Sequence, residues 1–517
     1  MKNLIVVCVA VVSIAGPVHA EPTRRKYLVA TERPFREEML GKRSHISFAG
    51  VGGYAVDLSD EEAKVLAATS GVRYVEPDVE RFVFAMPSPH LDVMQMTPWG
   101  VISVHAPRVW FLTRGEGVRV GIIDTGIDLG HPDLQGAYRG GYDFVNNDAV
   151  PEEEAEGGGF AHGTRMAGII AASDNGFGLI GAAPGVSLYA LKIFPRSGGA
   201  LTSNVIRAVE WAIAQKLDVV SCSFGGETPS KLEEEAFARA RRANVLVIAA
   251  VGNNTSWVRY PAAYPSVVGV GAIDRTHRIA SFSNTGAEVD FVAPGVDLVS
   301  TIVSGSGHIG SITLDDGTSF PAHPFSDSKS GAVVGMPVDC ARGKPADFPP
   351  ATAQNVALVL RQGPPSIPVK ATNAVAAQAA ALVVINSAVD DMPMRGSLGS
   401  DDAPWLVAVS VSRQTGQIIR ERGASVLVDS YVTDYDASDG ASLSAPHVAA
   451  VAALVLALRP GLSADELLAL LASTATDLGD AGRDPVYGYG LVNAYAAAAA
   501  AVPERMPAKK RRRSVGH

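Results

Sequence analysis

Short apolar runs alternate with helical patterns along most of this chain. From about residue 97, apolar runs predict buried strands at 118–124, 187–194, 217–224, 244–251 and 267–273. Segments with helical periodicity lie between them, at 163–172, 202–216 and 230–243. Buried strands that alternate with helices indicate an α/β fold of three layers with a mainly parallel central sheet, whose ligands bind beyond the carboxyl ends of the strands.

Other patterns flank this region. Near the N-terminus, strands at 27–30, 54–58 and 72–75 and a capped helix that begins at Asp60 predict a small α+β unit. Between residues 299 and 431, a stretch rich in Gly, Ser and Pro precedes the pattern of an inserted α/β domain. The insert has predicted strands at 356–360, 381–385 and 406–410 and predicted helices at 370–380 and 413–422. Helices are predicted after it at 443–458 and 464–475, the second with a capping box of Ser463 and Glu466.

Composition indicates an exported globular protein. The 517 residues are 47% hydrophobic and 19% charged, which suits several globular domains. A lysine, an apolar run and a small-residue end at Ala20 have the layout of a signal peptide. No later apolar run reaches the roughly 18 residues of a membrane span, so no transmembrane segment is expected. Cys8 leaves with the signal, and Cys222 and Cys340 either form a disulfide or stay buried free thiols.

Charge gives little sign of a nucleic-acid partner. The net charge is −9, and the strong basic cluster is the tail AKKRRRSVGH. No nucleic-acid-binding motif accompanies it. A solvated tail is therefore expected, with a tether to an anionic surface as the alternative.

Two serines compete as candidate nucleophiles. Ser442 precedes LSAPHVAAVAALVLALR, whose alanines, valines and leucines predict a long helix. Ser442 therefore lies at a helix N-terminus, where free N–H groups and the helix dipole stabilise developing negative charge. Ser319 precedes FPAHP, whose two prolines exclude a regular helix, so it is expected to be a loop residue. Ser442 is the predicted nucleophile.

A serine nucleophile needs a base and a carboxylate that orients the base. His162 begins a predicted helix, and Asp124 ends a buried strand at the expected crevice. Asn253 ends another strand and could direct its amide at an oxyanion. His131 and His447 are interpreted as structural.

Four motifs, in this chain order, resemble the signatures of the subtilisin-like serine peptidases. They are GIIDTGID at Asp124, HGTRMAG at His162, AAVGN at Asn253 and GASLSAPHVA at Ser442. The resemblance covers roughly residues 95–300 and 435–500. It implies that Ser442 attacks the scissile carbonyl, His162 transfers the proton, Asp124 holds the imidazolium, and Asn253 with the Ser442 N–H binds the oxyanion.

The resemblance also implies a substrate-binding region. Residues 223–226 would pair with extended substrate backbone, and with 250–252 they would form the pocket for the residue before the cut. These residues are Ser223, Phe224, Gly225, Gly226, Ala250, Val251 and Gly252, and they suggest an apolar-tolerant pocket without fixing its preference. Three residues depart from the family pattern: Ala441 replaces Thr, Arg165 replaces His and Leu443 replaces Met.

A calcium site follows from a further local match. QMTPWG, HPDL and the loop SDNGFGL align with the strong calcium site of the family. The implied ligands are all oxygens, which suit this hard cation. They come from the side chains of Gln95, Asp133 and Asn175 and from the carbonyls of Ser173, Phe177 and Leu179. Ordinary cap and turn roles are the alternative, and the acidic run at 152–156 is expected to be a solvated loop.

Two flanking segments resemble known modules. GVRYVEPD lies in a segment similar to the inhibitory propeptide of the family, and NVALVLRQG begins a segment similar to a protease-associated domain. The expected layout is a signal peptide at 1–20, a propeptide at 21–88, a catalytic domain at 89–300 and 431–503, the insert at 301–430 and a basic tail at 504–517. The propeptide would inhibit the enzyme intramolecularly until it is cut off near residues 84–90.

The sequence thus predicts a secreted, calcium-stabilised serine endopeptidase that is made as a self-processing precursor. It would be a monomer that acts on proteins or peptides. The alternative is a catalytically impaired homologue with a binding or inhibitory role, which Ala441 and Arg165 keep open. A metallopeptidase or a lipase-like hydrolase is disfavoured because the chain has no HExxH and no GxSxG.

Overall fold

The computed structural model describes residues 25–31, 45–48, 53–77, 95–154, 161–195, 199–325, 327–386, 393–394, 396–399 and 405–507. The predicted signal peptide, the predicted cleavage region at 84–90 and residues 508–517 of the basic tail lie outside them. The chain forms two compact units, Met1–Met86 and Pro87–His517.

The first unit is the predicted small α+β unit. Its antiparallel sheet has the order β2-β3-β1-β4, and Ser59 and Glu62 form a capping box at the start of its helix. Tyr27, Val29 and Val56 lie in its core. The elements are β1 Arg25–Thr31, β2 His45–Phe48, β3 Gly53–Leu58, α1 Asp60–Ala67 and β4 Val72–Pro77.

The second unit contains a seven-stranded sheet in which every pairing is parallel. Its strands are β5 Arg119–Asp124, β6 Tyr138–Asp143, β7 Ser187–Lys192, β8 Val219–Cys222, β9 Leu246–Ala250, β10 Val268–Ile273 and β11 Val289–Pro294. The order is β11-β10-β9-β8-β5-β7-β6. The five interior strands match the prediction, whereas β6 and β11 were missed because both are edge strands, and β6 is glycine-containing and only partly buried.

Strand order creates a crevice beside β5. From β5 the chain reaches β7 on one side of it, and then moves to β8 and β9 on the other side. Because parallel crossovers are right-handed, these two directions place the connecting helices on opposite faces of the sheet. Ligands of such sheets bind where the direction reverses, beyond the carboxyl ends of the strands, which is where Asp124 lies.

The helices of the second unit agree with the prediction to within a few residues, except for two short ones that were missed, α2 and α10. Their bounds are α2 Trp99–Ser103, α3 His162–Ala171, α4 Thr202–Ala214, α5 Lys231–Arg242, α6 Ile367–Ala376, α7 Arg413–Arg422, α8 Ser444–Leu458, α9 Ala464–Thr474 and α10 Ala494–Ala501. The predicted capping box of Ser463 and Glu466 is present at α9.

Helix α8 corrects one expectation from the sequence. The span Ala441–Leu458 has 18 residues and a mean hydropathy of 1.9, so one later apolar run does reach the length of a membrane span. Of that window, 89% is buried inside the protein, where α8 packs against α3, α10 and the strands β8 to β11. A helix that is apolar on all sides suits the centre of a large core equally well.

A two-stranded neck connects the insert to the rest of the second unit. Strand β12 Leu298–Thr301 pairs antiparallel with β21 Tyr435–Ser438, and all of the insert lies between them. The insert contains an eight-stranded mixed sheet, ordered β15-β20-β13-β14-β19-β18-β17-β16. The strands are β13 Gly307–Leu314, β14 Ser319–Pro324, β15 Gly331–Gly335, β16 Pro337–Asp339, β17 Val356–Leu360, β18 Ala381–Ile385, β19 Val407–Val411 and β20 Val426–Thr433.

The insert has a core on each face of its sheet. Alternate residues of β17 point to opposite sides, so that Val356 and Leu358 enter one core and Ala357 and Val359 enter the other. The sequence predicted β17, β18 and β19, which are buried. It missed the five other strands of this sheet, which are rich in Gly, Ser and Pro or partly exposed: β13, β14, β15, β16 and β20. Cys340 is a buried free thiol here, and Cys222 is a buried free thiol in β8.

Candidate active site

Ser442 lies where the chain leaves the insert and returns to the rest of the second unit. Strand β21 leads through Gly440 into a single 3-10 turn, Ala441–Leu443, and α8 continues from Ser444. Ser442 is partly buried at the start of this helical segment, as predicted. Ser319 is not a loop residue, because it begins β14, where it is exposed and accepts a hydrogen bond from Thr313 at 3.1 Å. Only Ser442 lies at a helix N-terminus.

Asp124 and His162 form a hydrogen-bonded pair at the crevice. Asp124 is the last residue of β5 and is 1% exposed, and His162 is the first residue of α3. The His162 Nδ1 lies 2.7 Å from the Asp124 Oδ1. This contact assigns the proton to Nδ1 and leaves Nε2 as the acceptor. Burial lowers the pKa of His162, but the charge of Asp124 and its hydrogen bond outweigh burial and raise the pKa above the ordinary 6.5.

A second buried carboxylate supports this pair. Glu153 is 3% exposed and accepts hydrogen bonds from the hydroxyls of Thr125 and Thr164 and from the Thr164 N–H at 2.7 Å. Burial, with a smaller contribution from Asp124, raises its pKa to about 7 despite these hydrogen bonds. The expectation that this acidic run is solvated is wrong for Glu153, although both its neighbours are exposed. An extended backbone that alternates sides explains the difference.

His131 and His447 have the structural roles that were predicted. His131 is buried, and its Nδ1 accepts from the Asp133 N–H at 3.1 Å. His447 is buried inside α8, and its Nδ1 lies 2.8 Å from the Leu443 carbonyl oxygen. Burial lowers the pKa of His447 to about 4.

Asn253 presents its amide nitrogen beside Ser442. Its Oδ1 accepts the Ala441 N–H at 2.7 Å, which fixes the side chain with Nδ2 as the free donor. A carbon atom placed on the Gly440 Cα would lie 2.8 Å from the Ser442 Oγ, 3.4 Å from the Asn253 Nδ2 and 3.7 Å from the Ser442 N. The Ser442 hydroxyl and two nitrogens that carry N–H groups therefore all lie within 3.7 Å of a single point.

The three departures from the family pattern leave this arrangement intact. Ala441 is buried and supplies the N–H that orients Asn253. Arg165 donates to the Asp436 carbonyl oxygen at 2.6 Å and thereby ties α3 to strand β21 of the neck. Leu443 is buried in the main core.

The segments 223–226 and 250–252 both approach Ser442. Ser223 donates its hydroxyl to the Ser442 carbonyl at 2.8 Å, and Gly252 directly precedes Asn253. Gly225 and Gly226 are exposed, and Phe224 is partly buried. The side chains of Ala250 and Val251 lie in the core, so these two residues offer the site only backbone.

Asn284 was missed by the sequence analysis. It is fully buried, and its Oδ1 accepts the N–H groups of Asn254 and Ser256, both at 3.0 Å. Its Nδ2 donates to the carbonyls of Val251 and Trp257 at 3.1 and 2.8 Å. It shapes the loop after Asn253, and no local sequence signal identifies such a role.

The predicted calcium ligands lie together. The Gln95 Nε2 is 2.5 Å from the Ser173 carbonyl oxygen, 3.1 Å from that of Leu179 and 3.4 Å from the Asn175 Oδ1. Asp133 accepts from the Asn175 amide, the Leu179 N–H and the Tyr435 hydroxyl, each at 2.9 Å. Phe177 contacts the Asn175 Oδ1 through its N–H at 3.3 Å. Oxygen atoms of Ser173, Asn175 and Leu179 all face the side-chain amide of Gln95. Because these ligand atoms are oxygens, the chemistry of the site fits a hard cation.

Metal binding here would depend on carbonyl and amide oxygens together with the single carboxylate of Asp133. Within the described residues, no group of three or more His, Cys, Asp or Glu side chains is placed to hold a metal ion.

Comparisons with known proteins identify the family of the chain. Residues 115–332 and 362–490 match the subtilase family, Peptidase_S8. Subtilisin E of Bacillus subtilis (strain 168) is 35% identical over 300 residues, which are 55% of this chain and 75% of that protein. Subtilisin of Bacillus pumilus is 40% identical over 218 residues, which are 41% of this chain and 77% of that protein.

A solved structure is similar along most of the chain. The crystal structure of the psychrophilic subtilisin-like protease Apa1 from the Antarctic psychrotroph Pseudoalteromonas sp. AS-11 matches 80% of this chain and 99% of its own, with 29% identity and a TM-score of 0.56. The family match spans more than half of the chain, on the part that holds the Asp124–His162 pair and Ser442. The chain therefore belongs to the subtilase family and is a subtilisin-like serine endopeptidase.

Proposed function

We propose that this protein is a secreted endopeptidase that cleaves proteins through Asp124, His162 and Ser442 and is made as a self-processing precursor. The observation that carries the proposal is the convergence of the Ser442 hydroxyl, the Ser442 N–H and the Asn253 amide on one point beside Gly440. A peptide carbonyl at that point would meet the nucleophile and two donors for its oxygen at once.

The reaction follows from these positions. The Ser442 Oγ forms a bond to the scissile carbonyl carbon while the His162 Nε2 accepts the hydroxyl proton. The carbonyl π electrons move to oxygen, where the Ser442 N–H and the Asn253 amide stabilise the charge. Return of those electrons breaks the C–N bond, and His162 protonates the leaving amine. Water then repeats the sequence on the ester, and the Asp124 carboxylate faces the imidazolium at both stages.

Calcium is proposed as a structural ligand. Gln95, Asp133, Ser173, Asn175, Phe177 and Leu179 would hold it, and it would stabilise the loop 173–179 against unfolding. It takes no part in bond cleavage.

The remaining layout is proposed by similarity to family members. Residues 1–20 would be a secretion signal, 21–88 an intramolecular inhibitor and 301–430 a protease-associated insert. The catalytic domain would comprise 89–300 and 431–503, and 504–517 a basic tail.

Intact mass and N-terminal sequencing of exported protein test this proposal. Wild type is expected to lose about 60 to 70 residues beyond the signal, the predicted size of the propeptide, whereas Ser442→Ala keeps them because it lacks the nucleophile. A fluorophosphonate probe should label wild type at Ser442 and leave Ser442→Ala unlabelled.

The alternative, a catalytically impaired binding protein, predicts a different result. Wild type would then keep the N-terminal segment in the presence of calcium, and the probe would not label it. That result would overturn the proposed function.

A further inference from the structure

Arg259 lies between the segments 223–226 and 250–252, both of which approach Ser442. The backbone of Arg259 spans them: its N–H donates to the Val251 carbonyl at 3.0 Å, and the next residue, Tyr260, pairs with Gly226 through hydrogen bonds of 2.8 and 3.0 Å. Arg259 is therefore held beside both 223–226 and 250–252.

The stem of Arg259 occupies space that two glycines leave free. A carbon placed on Gly225 would lie 2.9 Å from the Arg259 Cβ, and one placed on Gly252 would lie 2.9 Å from the Arg259 Cγ. Side chains at these positions would collide with the stem. The arginine stem thus lies against both segments that were predicted to form the pocket for the residue before the cut, where the sequence suggested apolar surroundings.

The guanidinium is nearly enclosed and only partly paired. Arg259 is 7% exposed, its guanidinium lies 4.6 Å from the centre of the Trp257 ring, and its Nη2 contacts the Glu227 Oε1 at 2.9 Å. Its Nη1 is buried and has no hydrogen-bond partner among the described residues. Glu227 is 69% exposed, so it can leave the arginine at little cost.

A buried guanidinium nitrogen without a partner favours a ligand that accepts hydrogen bonds and carries negative charge. A carboxylate supplies both, and the planar fork of arginine can bind it with two nitrogens. An apolar side chain in the same place would cover Nη1 without satisfying it, which opposes binding.

We propose that Arg259 determines the specificity of this pocket, and that the enzyme prefers substrates with an acidic residue directly before the scissile bond. This inference rests on the proposed function, because it needs Ser442 to be the nucleophile beside the pocket. Glu227 would act as a surface counter-ion that an incoming carboxylate replaces.

The test compares four peptide p-nitroanilides that differ only in the residue before the cut: Glu, Gln, Leu or Lys. Wild type should cleave the Glu peptide with a kcat/KM about tenfold or more above that of the Gln peptide, the usual range for a charge-assisted contact. The Lys peptide should be the poorest substrate.

Variants assign the preference to Arg259. In Arg259→Gln the ratio of Glu to Gln cleavage should fall to about one, and Arg259→Lys should restore part of it because the charge returns. Glu227→Gln should raise kcat/KM for the Glu peptide several-fold, since it removes the competing carboxylate. This last change is at the surface, so it also tests the inference if Arg259→Gln fails to fold.

Titration with the fluorophosphonate probe distinguishes failure of the pocket preference from failure of the proposed function. If the probe labels wild type but the Leu peptide is cleaved faster than the Glu peptide, and Glu227→Gln leaves that order unchanged, the pocket inference is wrong and the proposed function stands. If the probe does not label wild type, the proposed function fails and the inference fails with it.

Discussion

At the scale of single residues, Gly440 has only a hydrogen at the position where any other residue has a Cβ carbon. That carbon would lie 2.8 Å from the Ser442 Oγ and 3.4 Å from the Asn253 Nδ2, at the point where the substrate oxygen is expected. The backbone of Gly440, with φ at +155° and ψ at +148°, is also a conformation that other residues avoid.

Gly440→Ala should therefore lower kcat by about two to three orders of magnitude, comparable to the loss of one oxyanion donor. Steady-state kinetics on a short peptide would measure the loss, and circular dichroism would establish that the variant is folded. Catalysis at the wild-type rate in a folded variant would place the oxyanion elsewhere.

At the scale of secondary-structure elements, a buried carboxylate joins the end of β5 to the start of α3. Glu153 binds Thr125, which follows Asp124, and Thr164, which lies two residues after His162. Thr125 in turn accepts the Gly163 N–H at 2.9 Å. Glu153 thus adds a buried link, beside the direct Thr125–Gly163 hydrogen bond, between the two elements that each carry one member of the Asp124–His162 pair.

The raised pKa of Glu153 predicts a pH-dependent stability. Below pH 4.5 the folded and unfolded states both hold its proton, and between pH 4.5 and about 7 only the folded state does. The unfolded state is therefore favoured progressively as pH rises through this window. The shift corresponds to a change in the free energy of unfolding of about 3 kcal/mol.

Glu153→Gln should abolish this pH dependence. Relative to the variant, the wild-type free energy of unfolding should fall by about 3 kcal/mol between pH 4.5 and 7. Urea unfolding in a Ser442→Ala background, at constant calcium, measures the difference without self-digestion. Glu154→Gln is the matched control, because Glu154 is the exposed neighbour. If the difference in the free energy of unfolding between wild type and Glu153→Gln stays constant over this pH range, the raised pKa does not belong to Glu153.

At the scale of the whole molecule, the insert is attached through one narrow neck. Cross-strand pairing joins Thr301 to Tyr435 and Gly307 to Thr433, so the chain leaves and returns at neighbouring positions. The Ile302 N–H donates to the Asp434 carbonyl at 2.8 Å, which closes the neck without any residue of the insert sheet. The insert also has its own two cores.

Replacement of residues 307–433 by a short Gly-Ser turn should leave the catalytic part folded. The shortened enzyme should react with the fluorophosphonate probe and cleave short peptides as wild type does, because Asp124, His162 and Asn253 lie outside the insert. A change confined to the digestion of folded proteins would assign substrate selection to the insert. A shortened protein that is soluble but unreactive would instead make the insert part of the catalytic fold.

The sequence by itself determined the interior of the main sheet, most helices and the residues around Ser442. Buried strands of a parallel sheet are continuous apolar runs. A long helix that is apolar on all sides is stable in a folded protein where it is buried in the core. Motifs around Asp124, His162, Asn253 and Ser442 are local in sequence, so that four short segments could be identified separately. Edge strands such as β6, which are half exposed, give no comparable signal.

Tertiary structure alone decided the surroundings of these residues. Glu153 is buried because an extended backbone turns it toward Thr125 and Thr164, while its two neighbours in the same acidic run face solvent. Arg259 lies between residues 223–226 and 250–252 because its loop returns between these two segments, which are distant from each other along the chain. A local pattern cannot encode either contact, since burial and charge at a site depend on which segments the fold brings together.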